Sequence, residues 1–194
     1  MIDIETLGSS PGSAVIALGA VTFDPFEEGV KELFTCNFSW RSNLALRLKK
    51  EPATVKWWKE QSAEAKAALK TPRPVAIWLG LREFGKWYTE TKPKAVWANG
   101  STFDFPLLEF AMKKSGVEVP WHYREVRDMR TAYRIFEKFL PVKEGEWREK
   151  AEKWEEAQRE KRGAPQMLKH CALSDAFFQA LRLQYMYRAM KGMA

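Results

Sequence analysis

Met1-Ile2-Asp3-Ile4-Glu5-Thr6-Leu7 is the stretch on which the reading turns. Successive side chains of a β-strand point to opposite faces, so Ile2 and Ile4 predict the core side of a strand while Asp3 and Glu5 share the other. Neighbouring carboxylates repel each other, and a cation is what most readily keeps both ionised. Hard divalent ions such as Mg²⁺ or Mn²⁺ select carboxylate oxygen. An exposed acidic strand end is the plain alternative for a bare Asp-x-Glu, so the downstream sequence has to decide. With so few residues ahead of Asp3, the strand is expected to begin weakly anchored.

The 194 residues, 45% apolar and 13% aromatic, suffice for one core and predict a single domain over 1–194. Lys and Arg number 32 against 25 Asp and Glu, and the formal charge of +7 favours a polyanionic partner such as nucleic acid. Cys36 and Cys171 lack disulfide-framework or zinc-ligand spacing. No apolar run approaches the roughly 18 residues of a membrane span and no secretory segment opens the chain, so the expectation is a cytoplasmic protein with no membrane contact.

Beyond the first strand, residues 8–13 are turn chemistry, residues 14–23 an apolar run buried on both faces, and residues 31–39 its neighbour. The short connections predict a three-stranded antiparallel meander. Gly8-Ser9-Ser10-Pro11-Gly12 matches the Gly-x-Ser-x-Gly pattern of serine hydrolases, but a strand follows where that motif needs a helix. Residues 43–70 switch to helical periodicity, with Thr54 and Ser62 as caps of two short helices, and residues 75–88 carry a further apolar stripe. Residues 95–98 read as a buried strand ending at Asn99-Gly100. Helices are expected from about 105 to 115 and from Asp128 to about 139. In residues 141–165 Glu alternates with Lys and Arg around a thin stripe of Trp147, Ala151 and Trp154, which predicts a charged helical insertion, a solvated helix or helical hairpin added to the domain. Residues 172–190 form an amphipathic helix.

Three later positions give the opening carboxylates a context. Asp104 follows a buried strand, either as a helix N-cap with Pro106 in the first turn or as part of an acidic site. His170 and Asp175 would stand about 140° apart on one straight helix. A shared site therefore needs His170 on the loop before the helix that carries Asp175. An ordinary loop histidine and an aspartate placed for the helix dipole are the alternatives.

Taken together, these residues resemble the DEDDh family of 3′–5′ exonucleases. Asp3-Ile4-Glu5-Thr6-Leu7 is similar to the first motif, Asn99-Gly100-x-x-Phe103-Asp104 to the second and His170-x-x-x-x-Asp175 to the third. The intervening Thr54-Val55-Lys56-Trp57-Trp58-Lys59-Glu60-Gln61-Ser62, Pro120-Trp121-His122-Tyr123 and Arg127-Asp128-Met129-Arg130-Thr131 resemble the bacterial and phage branch that includes mycobacterial exoribonuclease AS and phage exonuclease DexA. Cys171 and Ser174 stand where the family's third motif usually has Asn and Asp.

The resemblance implies a ribonuclease H-like three-layer α/β sandwich around a mixed five-stranded sheet. It implies metal-dependent removal of nucleoside 5′-monophosphates from the free 3′ end of single-stranded RNA or DNA, in a protein that is often a homodimer. Two Mg²⁺ or Mn²⁺ would be shared by Asp3, with Glu5 and Asp175 completing one site and Asp104 supporting the other. His170 would be the general base. Thr6 and Leu7 would meet the terminal nucleotide, Leu7 being equally suited to the core, and Asn99 and Phe103 would join the substrate site. Trp57 and Trp58 offer a stacking surface, though neighbours on a helix point about 100° apart, so at most one is expected to stack while the other packs in the core. Asp128, Arg130 and Thr131 would form the far wall, with Asp128 equally suited to capping a helix. Two rival readings are a catalytically silent nucleic-acid-binding module on the same fold and an interaction protein using the charged helix as its contact face.

Overall fold

The computed structural model describes residues 1–70, 73–139, 146–162 and 170–192. Strands β1 (Ile2–Thr6), β2 (Val15–Phe23) and β3 (Val30–Asn37) form the expected antiparallel meander. Asp3 pairs with Gly19 and Glu5 with Ala17 across β1 and β2, and Gly19 and Ala17 pair in turn with Thr35 and Asn37 of β3. The weak start expected for β1 is not found. Met1 exchanges backbone hydrogen bonds with Val21 in both directions, each of 2.9 Å, so the ladder runs on through the first residue.

Helices α1 (Trp40–Ala45), α2 (Pro52–Glu60), α3 (Ala63–Ala68) and α4 (Ile77–Thr91) lead to β4 (Val96–Ala98). Ser62 caps α3 by accepting from the Ala65 N–H, but Thr54 lies inside α2, whose N-cap is Glu51 with Pro52 starting the helix. Helix α5 (Ser101–Lys114) follows, then β5 (Val126–Asp128) and α6 (Met129–Phe139). Helix α5 begins four residues earlier than its sequence suggests, and Pro106 sits within it. Gly100 makes this start possible with a left-handed φ of 117° at the N-cap, and Asp128 Oδ2 accepts from the Ser101 N–H at 2.7 Å.

The continuous five-stranded sheet is not what the strands form. They make a three-stranded sheet, β1-β2-β3, and a parallel pair, β4-β5. The break has a local cause: the Ile4 N–H, which a ladder from β1 to β4 would use, donates to Asp104 Oδ1 at 3.3 Å. The three-residue β4 is too short to pair past that point.

Helices cover both faces of the meander. Ile2, Ile4 and Leu18 pack with Leu81 and Phe84 of α4 and Leu108 and Met112 of α5. On the other face Met1 and Val21 meet α6, α7 (Glu146–Arg162) and α8 (Ala172–Met190). Here the structure corrects the picture of a solvated insertion. Within the described part of that segment, Trp147 and Ala151 are buried in the α8 core, and Glu155, 3% exposed, receives a two-pronged pair from Arg182 of α8 at 2.7 and 3.1 Å. The thin stripe suffices because α8 supplies the opposing apolar surface; residues 141–145 and 163–165 lie outside the described residues. Among the described residues no helix is long and apolar enough to cross a membrane.

Candidate active site

Strand β1 turns Asp3 and Glu5 toward the face that α8 covers, and the register shows how the helix comes so close. Asp3 lies opposite Gly19, and a Cβ on Gly19 would fall 2.2 Å from the backbone of Ala172 and Leu173. The first turn of α8 therefore rests directly on β2. This seats Asp175 beside Glu5, and Gln179, one turn further on the same helical face, donates from Nε2 to Asp3 Oδ1 at 2.9 Å. His170 precedes the helix with a left-handed φ of 59°, a backbone that costs a non-glycine residue roughly 1–2 kcal/mol. Its ring nitrogen and the carboxylates of Glu5 and Asp175 offer ligand atoms all within 4.8 Å of one another. Asp104 arrives from the other side on α5. It is 4% exposed, and it is not the N-cap; the Ile4 N–H holds it against β1.

Burial, reinforced by charge repulsion at Asp3 and Glu5, sets the protonation of the site. Burial first, then the charges of Asp104, Glu5 and Asp175, push Asp3 well above the usual carboxylate range, against the Gln179 hydrogen bond. Burial and the charges of Asp175 and Asp104 raise Glu5 to about 8. Asp104 is raised to about 7 by burial, opposed by the Ile4 N–H and the Arg130 charge, and burial raises Asp175 against the pull of His170. Four carboxylates crowded this way, with an imidazole among them, form a donor set that suits a hard divalent cation.

The shifts set a pH dependence of stability. A carboxyl whose folded pKa is raised binds more protons folded than unfolded, so its contribution is whole below about pH 4 and lost as pH rises through the folded value. In chelator, the melting temperature is expected to fall by roughly 5–10 °C between pH 5 and pH 8, the window set by Glu5 and Asp104. The fall should be smaller in Glu5→Gln, and Mn²⁺ or Mg²⁺ should raise the melting temperature at pH 8 far more than at pH 5. Thermal unfolding at the two pH values, with and without metal, checks both; a flat profile in chelator would remove the repulsive cluster.

Against known families, the description "3′-5′ exoribonuclease Rv2179c-like domain" matches residues 1–187, nearly the whole chain. The chain belongs to that family. The match places a nuclease-family domain over Asp3, Glu5, Asp104, His170 and Asp175 alike. An exodeoxyribonuclease of Enterobacteria phage T4 is 32% identical over 120 residues, covering 56% of this chain and 52% of the phage protein. The chain thus spans about half the length of that curated relative.

The remaining sequence candidates of this family member fall into two groups. Trp57 is 41% exposed with its ring centroid 4.9 Å from that of His170, while Trp58 is buried and donates from Nε1 to the Thr6 carbonyl at 2.8 Å. Leu7 is half-buried against the core beside the site, and Asn99 and the exposed Phe103 flank the start of α5. The Thr6 hydroxyl is buried and donates to the Gly8 carbonyl at 2.7 Å, so it holds the turn. Asp128 is a cap: Oδ1 accepts from the Thr131 N–H and hydroxyl while Oδ2 caps α5. Arg130 lies over Gly100, where a Cβ would meet its guanidinium at 3.2 Å. Gly19 and Gln179 escaped the sequence reading. Their signals were a glycine inside a buried strand and a glutamine one turn after Asp175 on an apolar helix.

Proposed function

We propose that this chain is a DEDDh-type 3′–5′ exonuclease that releases nucleoside 5′-monophosphates from single-stranded RNA or DNA. The observation that carries the reading is the convergence of Asp3, Glu5, Asp104 and Asp175, electrostatically coupled around one buried site with His170 at its edge. The fold this reading assumes is a ribonuclease H-like three-layer sandwich forming a single domain, with β3-β2-β1 and β4-β5 laid side by side in mixed order. The homodimer belongs to the same family expectation.

The four carboxylates would hold two Mg²⁺ or Mn²⁺, which when bound supply the positive charge that stabilises the attacking and leaving oxygens of phosphodiester hydrolysis. The residues of the chain do the rest. His170, held by its backbone at the mouth of the site, accepts the proton of the attacking water. Gln179 fixes Asp3, and the Ile4 N–H fixes Asp104, so the carboxylates are set before substrate arrives. Leu7 and Phe103 present apolar edges to the terminal nucleotide, and Trp57 offers its exposed face to a base.

The test is digestion of matched 5′-labelled single-stranded RNA and DNA with Mg²⁺ or Mn²⁺, with Asp3→Ala and His170→Ala as comparisons. A ladder shortening from the 3′ end, lost in both variants, is expected. Retained binding with no shortening would leave a silent binding module. The same assay decides the sugar, which the family description gives as RNA and the phage relative's name as DNA. The two tryptophans should separate in it. Trp57→Ala is expected to raise KM about tenfold or more, since base stacking contributes about 1–3 kcal/mol. Trp58→Ala should instead lower the melting temperature, because it leaves a buried gap and frees the Thr6 carbonyl.

A further inference from the structure

A trough lies beside the candidate site on the same face of the sheet. Glu5, Ala17 and Asn37 form one row of paired residues on β1, β2 and β3, and Asp3, Gly19 and Thr35 form the next. Paired residues of an antiparallel sheet share a face, so Asn37 and Thr35 stand on the same face as the carboxylates, two strands or roughly 10 Å away. Between Glu5 and Asn37 the floor is only Ala17. A cavity of about 310 Å³ opens there, walled on one side by Cys171 and Ala172 at the start of α8 and on the other by Leu69 and Arg73. Its size sits at the lower end of the range for small-ligand sites. Among the described residues that line it Arg73 is the charged one, and no carboxylate is present.

The two cysteines both touch this cavity, but they do not face each other across it. Cys36 pairs with Leu18, on the core side of the sheet, and its sulfur would lie 2.7 Å from a Cβ on Gly80 of α4. Cys171 follows His170 on the opposite face, so a thiol pair is not what the cavity is built for.

We propose that this trough is the subsite for the nucleotide on the 5′ side of the scissile phosphate, with Arg73 meeting the backbone phosphate of that nucleotide. The inference rests on the exonuclease reading and extends it. Phe103, assigned there to the terminal nucleotide, stands in the first turn of α5, which packs on β1 and β4, on the far side of the carboxylates from β3. A strand that runs from Phe103 across the scissile phosphate and on in the same direction leaves over Ala17 toward Asn37. Thr35, Asn37, whose Nδ2 donates to the Ala68 carbonyl at 2.8 Å, and Arg73 lie along that exit.

The test compares two substrates: a single-stranded oligonucleotide, and a p-nitrophenyl ester of a nucleoside 5′-monophosphate, which has no nucleotide to place in the trough. In Arg73→Ala the ratio of kcat/KM for the oligonucleotide to that for the ester is expected to fall about tenfold. The slope of log kcat/KM against log salt for the oligonucleotide should become shallower by about 0.7, the signature of one lost phosphate contact on a single strand. Lys86→Glu, on α4 at the opposite face, changes surface charge and should leave the ratio in place. A ratio unchanged in Arg73→Ala while the wild type cleaves both substrates overturns the subsite alone. A wild type that cleaves neither overturns the exonuclease reading with it.

Discussion

Asp3→Asn is expected to lower exonuclease turnover by at least about 10³ while raising the stability of the metal-free protein. The first effect follows from removing the carboxylate that the other three surround, since metal-borne stabilisation of a transition state is worth several kcal/mol. The second follows from the same crowding. Burial first, and then the charges of Asp104, Glu5 and Asp175, push the protonation of Asp3 upward, so at pH 8 its charge opposes folding. Asparagine keeps the oxygen that accepts from Gln179 and loses the charge. A gain of roughly 3–5 °C in melting temperature at pH 8 in chelator, absent at pH 5, is the expected reading. An inactive variant that is also less stable would show that Asp3 is held by packing and not by a balance of charge; an active one would take Asp3 out of the chemistry.

Gly19→Ala, a single added methyl outside the carboxylate cluster, should also be severe. Its Cβ would lie 2.2 Å from the backbone of Ala172 and Leu173, and neither a strand backbone nor the first turn of a helix yields as a side-chain tip does. The start of α8 must lift. His170, Asp175 and Gln179 then leave Asp3 and Glu5, and a displacement near 1 Å in such a site lowers rate on the order of 10²-fold. Overpacking should also lower stability by about 1–3 kcal/mol. Gly85→Ala is the matched comparison. That glycine lies inside α4 with its nearest neighbour, Val117, 4.0 Å from the added carbon, so the change should stabilise by a few tenths to 1 kcal/mol. Equal activity in the two alanine variants would show that α8 is not positioned by Gly19.

These two positions mark what can be read from the chain alone. Strand β1, the meander and the placement of His170 ahead of its helix were legible, because each is written in local alternation or spacing. The Asp104 cap failed for a long-range reason: its true capping partner, Asp128, comes from β5, and a three-residue strand carries no pattern to announce itself. The charged segment misled for a different reason. Its composition is that of a solvated helix, but burial depends on what faces Trp147 and Ala151, and α8 begins after them in sequence. Gly19 looked like one more small residue in an apolar run until α8 was laid across it.

Asp128 has a consequence for how the far side of the site behaves as a mechanical object. One carboxylate fastens the beginnings of two helices, α5 with one oxygen and α6 with the other. Asp104 rides on the first helix and Arg130 on the second, so the acid and the base that opposes its charge share a single rivet. Neither helix start can tilt without breaking a bond to the same side chain, and the spacing between Asp104 and Arg130 is therefore inherited from Asp128.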